Sequence, residues 1–170
     1  GTVTLRFATW DSGEALNIQK EIAKKFEEKN PNIKVQVEAY GDGFDQKLVA
    51  AFGAKDAPDV MYMWDFPTYG SSLEDLNAYI EKDSSVDMKD FYEGLMNYVQ
   101  LDGKTYGIPA GFTTHVIYFN KKLFDDANVP YPTEEWTWEE FVEKAQKLSR
   151  PEEKVYGFGV LAKPDPYDFE

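Results

Sequence analysis

Two tryptophans in this chain are followed directly by an aspartate, at Trp10-Asp11 and Trp64-Asp65. The pairing matters chemically. An indole face packs against flat apolar partners, such as the C–H face of a sugar ring or a base. An ionised carboxylate beside it accepts strongly from a hydroxyl. Tyr40 and Asp45 offer the same two groups on either side of the turn Gly41-Asp42-Gly43. Two carboxyls facing across a glycosidic bond at about 5–9 Å would instead serve hydrolysis, and Asp11 with Asp65 is the pair to consider for that role.

Composition narrows the choice of partner. The 170 residues carry 31 acidic and 18 basic side chains, a formal net charge of −13. That field repels nucleic acid, and the basic residues are scattered rather than gathered into a patch. Few of them lie near the Trp-Asp loops, which weighs against a phosphate ligand. With no Cys there is no disulfide, thiolate metal site or Cys nucleophile. A single His, His115, rules out a multi-His metal site within the chain and reads as a structural residue. No metal or cofactor is expected. Gly41-x-Gly43 lacks the rest of a dinucleotide fingerprint. The acid pairs Asp125-Asp126, Glu134-Glu135 and Glu152-Glu153 are sequence neighbours that do not face each other on a helix, and read as solvated charge.

The elements that must position these groups follow from periodicity. Val3, Leu5 and Phe7 alternate as a strand, and Ile33, Val35 and Val37 as a second. Between them Ala15, Ile18, Ile22, Ala23 and Phe26 recur at helical spacing, stopped by Asn30-Pro31-Asn32. Phe44, Leu48, Val49 and Phe52 mark a second helix, and Val60-Met61-Tyr62-Met63 a buried third strand. A helix with Leu73, Leu76 and Ile80 inward follows, then one around Phe91, Leu95, Met96 and Val99. Strands alternating with helices predict an open, mostly parallel α/β sheet flanked by helices. Ligands on such sheets lie at the carboxyl ends of the strands, where strand order switches. Both Trp-Asp pairs fall at such ends.

After the bend Tyr106-Gly107-Ile108-Pro109-Ala110-Gly111, residues 116–119 read as a strand and residues 122–126 as a short helix. Thr137-Trp138-Glu139-Glu140 is a capping box. It opens a helix expected to bury Trp138, Phe141, Val142, Ala145 and Leu148, and residues 155–161 read as a last strand. Trp136 and Trp138 are read as packing residues.

Several stretches in order resemble one family. They are the opening strand and helix with Asn30-Pro31-Asn32-Ile33-Lys34-Val35, then Ala57-Pro58-Asp59-Val60, then Asp102-Gly103-Lys104-Thr105-Tyr106-Gly107-Ile108-Pro109. Tyr118-Phe119-Asn120-Lys121-Lys122-Leu123-Phe124 and Thr137-Trp138-Glu139-Glu140-Phe141 complete the set. Together they resemble bacterial extracellular solute-binding proteins of the maltodextrin-binding type, which deliver sugars to ABC importers.

The resemblance implies a periplasmic-binding-protein-like (type II) fold, with residues 1–110 as an incomplete first α/β lobe, 111–115 as a hinge crossing and 116–170 as the start of a second α/β lobe. It implies an amino-terminal fragment of a longer protein. The location implied is extracytoplasmic, in the periplasm or at the cell surface, where a lipid anchor on the full precursor would hold it. The partners implied are a small carbohydrate, an oligosaccharide first, and the transmembrane subunits of an ABC permease. The ligand-binding residues implied are Trp10, Asp11, Tyr40, Asp45, Trp64, Asp65, Thr113 and Tyr167. Thr113 stands where the maltodextrin binder has a hinge Glu, which argues against a maltose-like ligand although the hydroxyl can still bind a sugar. Tyr167 follows Pro166 as a stacking Tyr does there. No catalytic residue is implied. The alternatives are a glycoside-processing enzyme with paired carboxylates, and a truncated lobe that self-associates through uncovered sheet edges without binding ligand.

Overall fold

The computed structural model describes residues 1–159, so Tyr167 lies outside the described residues. The chain divides into two compact units, Gly1–Ala110 and Gly111–Glu170.

The first unit is built on a three-stranded parallel sheet. Strand β1 (Val3–Thr9) lies between β2 (Ile33–Ala39) and β3 (Val60–Met61). β1 and β2 pair over their whole length, from Val3 with Ile33 to Thr9 with Ala39, whereas β3 adds two pairs, Phe7 with Val60 and Ala8 with Met61. Helix α1 (Gly13–Lys29) carries the crossover from β1 to β2, and α2 (Phe44–Gly53) the crossover back past β1 to β3. The order β2-β1-β3 reverses direction at β1, so the carboxyl end of β1 is the switch point where such sheets open a crevice. The core under it is Ala8, Phe44 and Leu48, with Tyr40, Phe52, Met61, Tyr62, Met63 and Tyr69 packed around them.

An arginine clamp fixes the three strands. Arg6 binds Glu38 of β2 bidentately at 2.6 and 3.1 Å and donates to the Asp56 carboxylate at 2.7 Å, and its backbone N–H donates to Asp59 at 2.8 Å. Two parallel bonds from one planar guanidinium fix geometry as well as charge.

Three features depart from the sequence expectation here. α1 turns Leu16, Gln19, Ala23 and Glu27 toward the sheet, with Ala23 the buried one. Ile18, Ile22 and Phe26 lie one position round the helix and are about half exposed. A narrow three-stranded sheet covers only one stripe of a 17-residue helix. β3 is also shorter than the run Val60-Met61-Tyr62-Met63 and sits at an edge, with Val60 exposed. Finally, the helix expected around Leu73, Leu76 and Ile80 is broken into α3 (Phe66–Tyr69), a 3-10 turn (Gly70–Ser72) and α4 (Asn77–Ile80).

The break has an identifiable cause. The hairpin β4 (Gln100–Leu101) and β5 (Lys104–Thr105) takes the Leu76 N–H onto the Thr105 carbonyl at 2.8 Å, removing it from any helical ladder. The hairpin turns on Asp102-Gly103, both at positive φ, the turn that matches strand twist. Gly70 is buried against it, and a Cβ there would meet Leu101 at 3.3 Å and Tyr106 at 3.5 Å. Helix α5 (Glu93–Tyr98) follows the expected Leu95 and Met96 pattern and delivers Val99 into the interior.

In the second unit, α6 (Lys121–Asp126) and α7 (Trp138–Leu148) bury Phe124, Val129 and Leu148 together. The capping box at α7 is formed in both directions: Glu140 N–H donates to the Thr137 hydroxyl, and Thr137 N–H donates to the Glu140 carboxylate at 2.9 Å. Residues 116–119 are not a strand. They have no regular structure and are exposed, Tyr118 almost fully. Strand geometry requires a neighbour, and among the described residues none pairs with this run. Near residues 155–161 there is a single bridge, Arg150 with Val155, and residues 160 and 161 lie outside the description. Trp138 and Val142, expected inside, are about half exposed.

Candidate functional site

The rim at the carboxyl ends of β1, β2 and β3 holds five of the eight candidate residues, two of which, Trp10 and Tyr40, pack on one buried ring, Phe44. β1 ends at Thr9, whose hydroxyl accepts from the Asp11 N–H at 3.0 Å and turns the next two residues outward. Thr9 is fully buried, so this short turn is fixed from below. Trp10 then stacks on Tyr62 with ring centroids 4.7 Å apart and 24° between planes, and meets Phe44 edge-on at 5.1 Å. It remains 41% exposed, so a large part of the indole faces solvent while its position is set.

Asp11 is held by Gln19 from α1. The Gln19 carboxamide donates to Asp11 Oδ2 at 3.0 Å and to the Tyr62 hydroxyl at 2.7 Å. At the β2 end, Tyr40 packs on Phe44 at 5.7 Å and donates to Glu38 Oε2 at 3.2 Å. Lys47 reaches back to the Tyr40 carbonyl at 3.0 Å and sits 5.8 Å from its ring. The N–H of Tyr40 donates to the Thr9 carbonyl and that of Tyr62 to the Ala8 carbonyl, continuing the sheet ladder into both loops.

The third strand end supplies Trp64. Its indole N–H donates to Asp45 Oδ1 at 2.9 Å, joining the β3 loop to the first turn of α2. Tyr98 donates to the Trp64 carbonyl at 2.5 Å. With its N–H engaged, Trp64 offers its ring, 48% exposed. Asp65 is diverted: its carboxylate accepts from Thr68 N–H at 3.2 Å and caps α3. A carboxylate is a favoured cap and Pro67 suits the first helical turn, so local structure accounts for this residue. Thr113 falls in the second unit, in an exposed stretch without regular structure.

The charges follow the packing. Burial, then the nearby Asp11, pushes the Tyr62 phenol above its ordinary range, and Gln19 opposes this. Burial, then Glu38, does the same for Tyr40. Burial, then Asp45 and Asp65, raises Tyr69. All three are therefore neutral hydroxyls at pH 7. The rim holds half-exposed aromatic faces, neutral hydroxyls and carboxylates, the chemistry that packs a C–H face and receives hydroxyl protons. Among the described residues no three His, Cys, Asp or Glu converge to hold a metal ion.

Gln19, Tyr62 and Tyr69 were not among the candidates. Tyr62 was legible as the residue that leaves β3 for the rim, next to Trp64. Gln19 had a weaker signal, a polar residue on the helix line Leu16, Gln19, Ala23 that faces the sheet.

Residues 10–168 match the family model of the bacterial extracellular solute-binding proteins. A binding protein of Brucella abortus is 31% identical over 150 residues, 85% of this chain and 35% of that protein. An arabinooligosaccharide-binding protein of Halalkalibacterium halodurans is 27% identical over 161 residues, 91% of this chain and 36% of its own length. An ABC substrate-binding protein from Listeria monocytogenes, solved in complex with cycloalternan, superposes with a TM-score of 0.74 at 32% identity, covering 90% of this chain and 40% of that one. A de novo designed esterase also shares the fold, with a TM-score of 0.69 at 26% identity over 86% of this chain and 36% of its own. The chain thus spans about a third of the length of the curated relatives it matches.

Proposed function

Because the chain belongs to the bacterial extracellular solute-binding proteins, we propose that it is part of the substrate-binding component of an ABC sugar importer. It captures a saccharide at the rim of the first unit and delivers it to a membrane permease. The observation that carries this reading is the pair of half-exposed tryptophans, Trp10 and Trp64, each fixed by the protein and each beside a carboxylate. Such planes give a sugar ring an apolar face at low entropic cost, and Asp11 and Asp45 accept from its hydroxyls. The saccharide partners of relatives support the ligand class: arabinooligosaccharide for one and cycloalternan for another.

In this reading residues 1–110 contribute the first lobe, 111–115 the crossing and 116–170 the start of the second lobe. Ligand shifts an open–closed equilibrium of the whole protein by its differential affinity for the two states. Tyr40 lines the rim at the end of β2, and Thr113, in the crossing, and Tyr167 are further ligand contacts of the whole protein. Asp65 acts through α3, whose cap it forms. In this reading the site binds and does not hydrolyse, and Asp65 is taken up by the Thr68 backbone. The location is extracytoplasmic, on the membrane face where the permease receives its substrate.

Titration calorimetry with a panel of neutral oligosaccharides (mannotriose, arabinotriose, cycloalternan) and mannitol tests this. One panel member binds, and Trp10→Ala or Trp64→Ala weakens it by about tenfold or more. No binding by a folded protein, or binding indifferent to both changes, overturns the reading.

A further inference from the structure

We propose that Gln19 is the positioning residue of the Trp10-Asp11 end of the rim, and that it fixes which hydrogen-bonding groups this end presents. The inference rests on the reading of the rim as a saccharide site.

A neutral carboxamide nitrogen carries two hydrogens, and here each has an acceptor, Asp11 Oδ2 at 3.0 Å and the Tyr62 hydroxyl oxygen at 2.7 Å. Two consequences follow. The Tyr62 hydroxyl, having accepted from Gln19, keeps its own proton to donate. Asp11, held through one oxygen, keeps Oδ1 to accept. A donor and an acceptor therefore stand together beside the Trp10 face, and a sugar hydroxyl, which both donates and accepts, complements the two. The same amide fixes the Tyr62 ring, and that ring carries Trp10 at 4.7 Å. One side chain thus orders the carboxylate and the stacking plane together. A carboxylate at position 19 would do the opposite. It would accept the hydrogen bond of the Tyr62 hydroxyl, tying up that donor, and set a second negative charge against Asp11.

The experiment is 15N–1H NMR of the tryptophan indoles, with the Trp10 signal identified by its loss in Trp10→Phe. In Gln19→Glu the Trp10 indole signal titrates between about pH 4 and 7, because two facing carboxylates share their last proton in that range. The wild type has no second carboxylate at position 19 and lacks this shared-proton step. In Gln19→Met, which keeps the bulk and loses both donors, the signal is displaced from wild type at every pH. A merely structural role for Gln19 moves no pH profile. A Trp10 signal in Gln19→Glu that matches wild type from pH 4 to 8 overturns the proposal. So does an unmoved signal in Gln19→Met, which decides the matter if the Glu variant does not fold. With mannotriose as probe, Gln19→Glu binds about tenfold more weakly than wild type at pH 7.5 and recovers on acidification. Absence of binding to every panel sugar in wild type defeats the saccharide reading alone, and the Trp10 titration still judges Gln19.

Discussion

β1 and residues 116–119 carry the same kind of sequence and end in opposite states. Val3-Thr4-Leu5-Arg6-Phe7 and Val116-Ile117-Tyr118-Phe119 are both rich in β-branched and aromatic residues. β1 is paired residue for residue with β2 and partly with β3, and its Ala8 is fully buried. The second run is exposed and, among the described residues, unpaired. Propensity describes how well a side chain fits a pleated surface. It does not supply the neighbouring strand, and that neighbour is what the first unit has. The same contrast separates a fixed rim from an open apolar groove. In the second unit Ile117, Phe119, Trp138, Phe141 and Phe158 line a cavity of about 930 Å³.

The largest test of that contrast is amide hydrogen exchange. The amides of Phe7 and Ala8 are protected at least about a thousandfold more than those of Ile117 and Tyr118, because laddered core strands open only with the unit and unpaired segments exchange freely. Equal protection would mean that residues 116–119 pair in solution, and the contrast would fall.

Next come the helices that pack in each unit. Leu48→Ala on α2 removes a side chain 1% exposed beneath the rim and costs about 2–5 kcal/mol. Val142→Ala on α7, at a position the periodicity places inside and the structure leaves half exposed, changes stability by no more than about 0.5 kcal/mol. Urea denaturation of both variants checks this. A Val142→Ala cost as large as that of Leu48→Ala would show that α7 is covered in solution.

These cases show what was legible in the sequence. The α/β order, the parallel sheet, the capping box and the placement of Trp10, Asp11, Tyr40, Asp45 and Trp64 at strand ends all follow from local pattern and one topological rule. Most departures depend on distant partners, and Asp65 is the local exception. The break after Gly70 depends on Thr105, the inward line of α1 on the width of the sheet, and the role of Asp65 on a helix that begins at its own cap. Gln19 is not legible locally, because it joins Asp11 to Tyr62, 43 residues away in sequence.

Local devices, by contrast, transfer between the two units. The capping box at α7 needs nothing from outside its first turn, so Thr137→Ala costs about 1 kcal/mol even beside the open groove. The Glu140→Gln partner change costs less, since an amide oxygen still accepts from the Thr137 N–H. Circular dichroism melts of the two variants rank them, and the reverse order would assign the helix start to charge rather than to the hydroxyl.

The smallest effect compares one carboxylate from each unit. Glu27 on α1 accepts from the Val35 N–H at 2.8 Å and pairs with Lys34 at 3.1 Å, tying the helix to β2. Those bonds, the backbone one first, hold its carboxyl below the usual range. Glu143 on α7 is held below it by Lys147 one turn on, at the surface. A depressed carboxyl stabilises the fold above its unfolded value, about pH 4.3, and loses that contribution as pH falls through the lower folded value. The melting-temperature gap between wild type and Glu27→Gln is therefore constant from pH 8 to about 5 and closes toward pH 3. Added salt screens the Lys34 part and leaves the backbone part, whereas for Glu143→Gln at 0.5 M salt the gap vanishes altogether. A Glu27 gap that salt also abolishes would reduce its bond to Val35 to another surface charge, and with it the distinction between a contact that joins two elements and one that decorates a single helix.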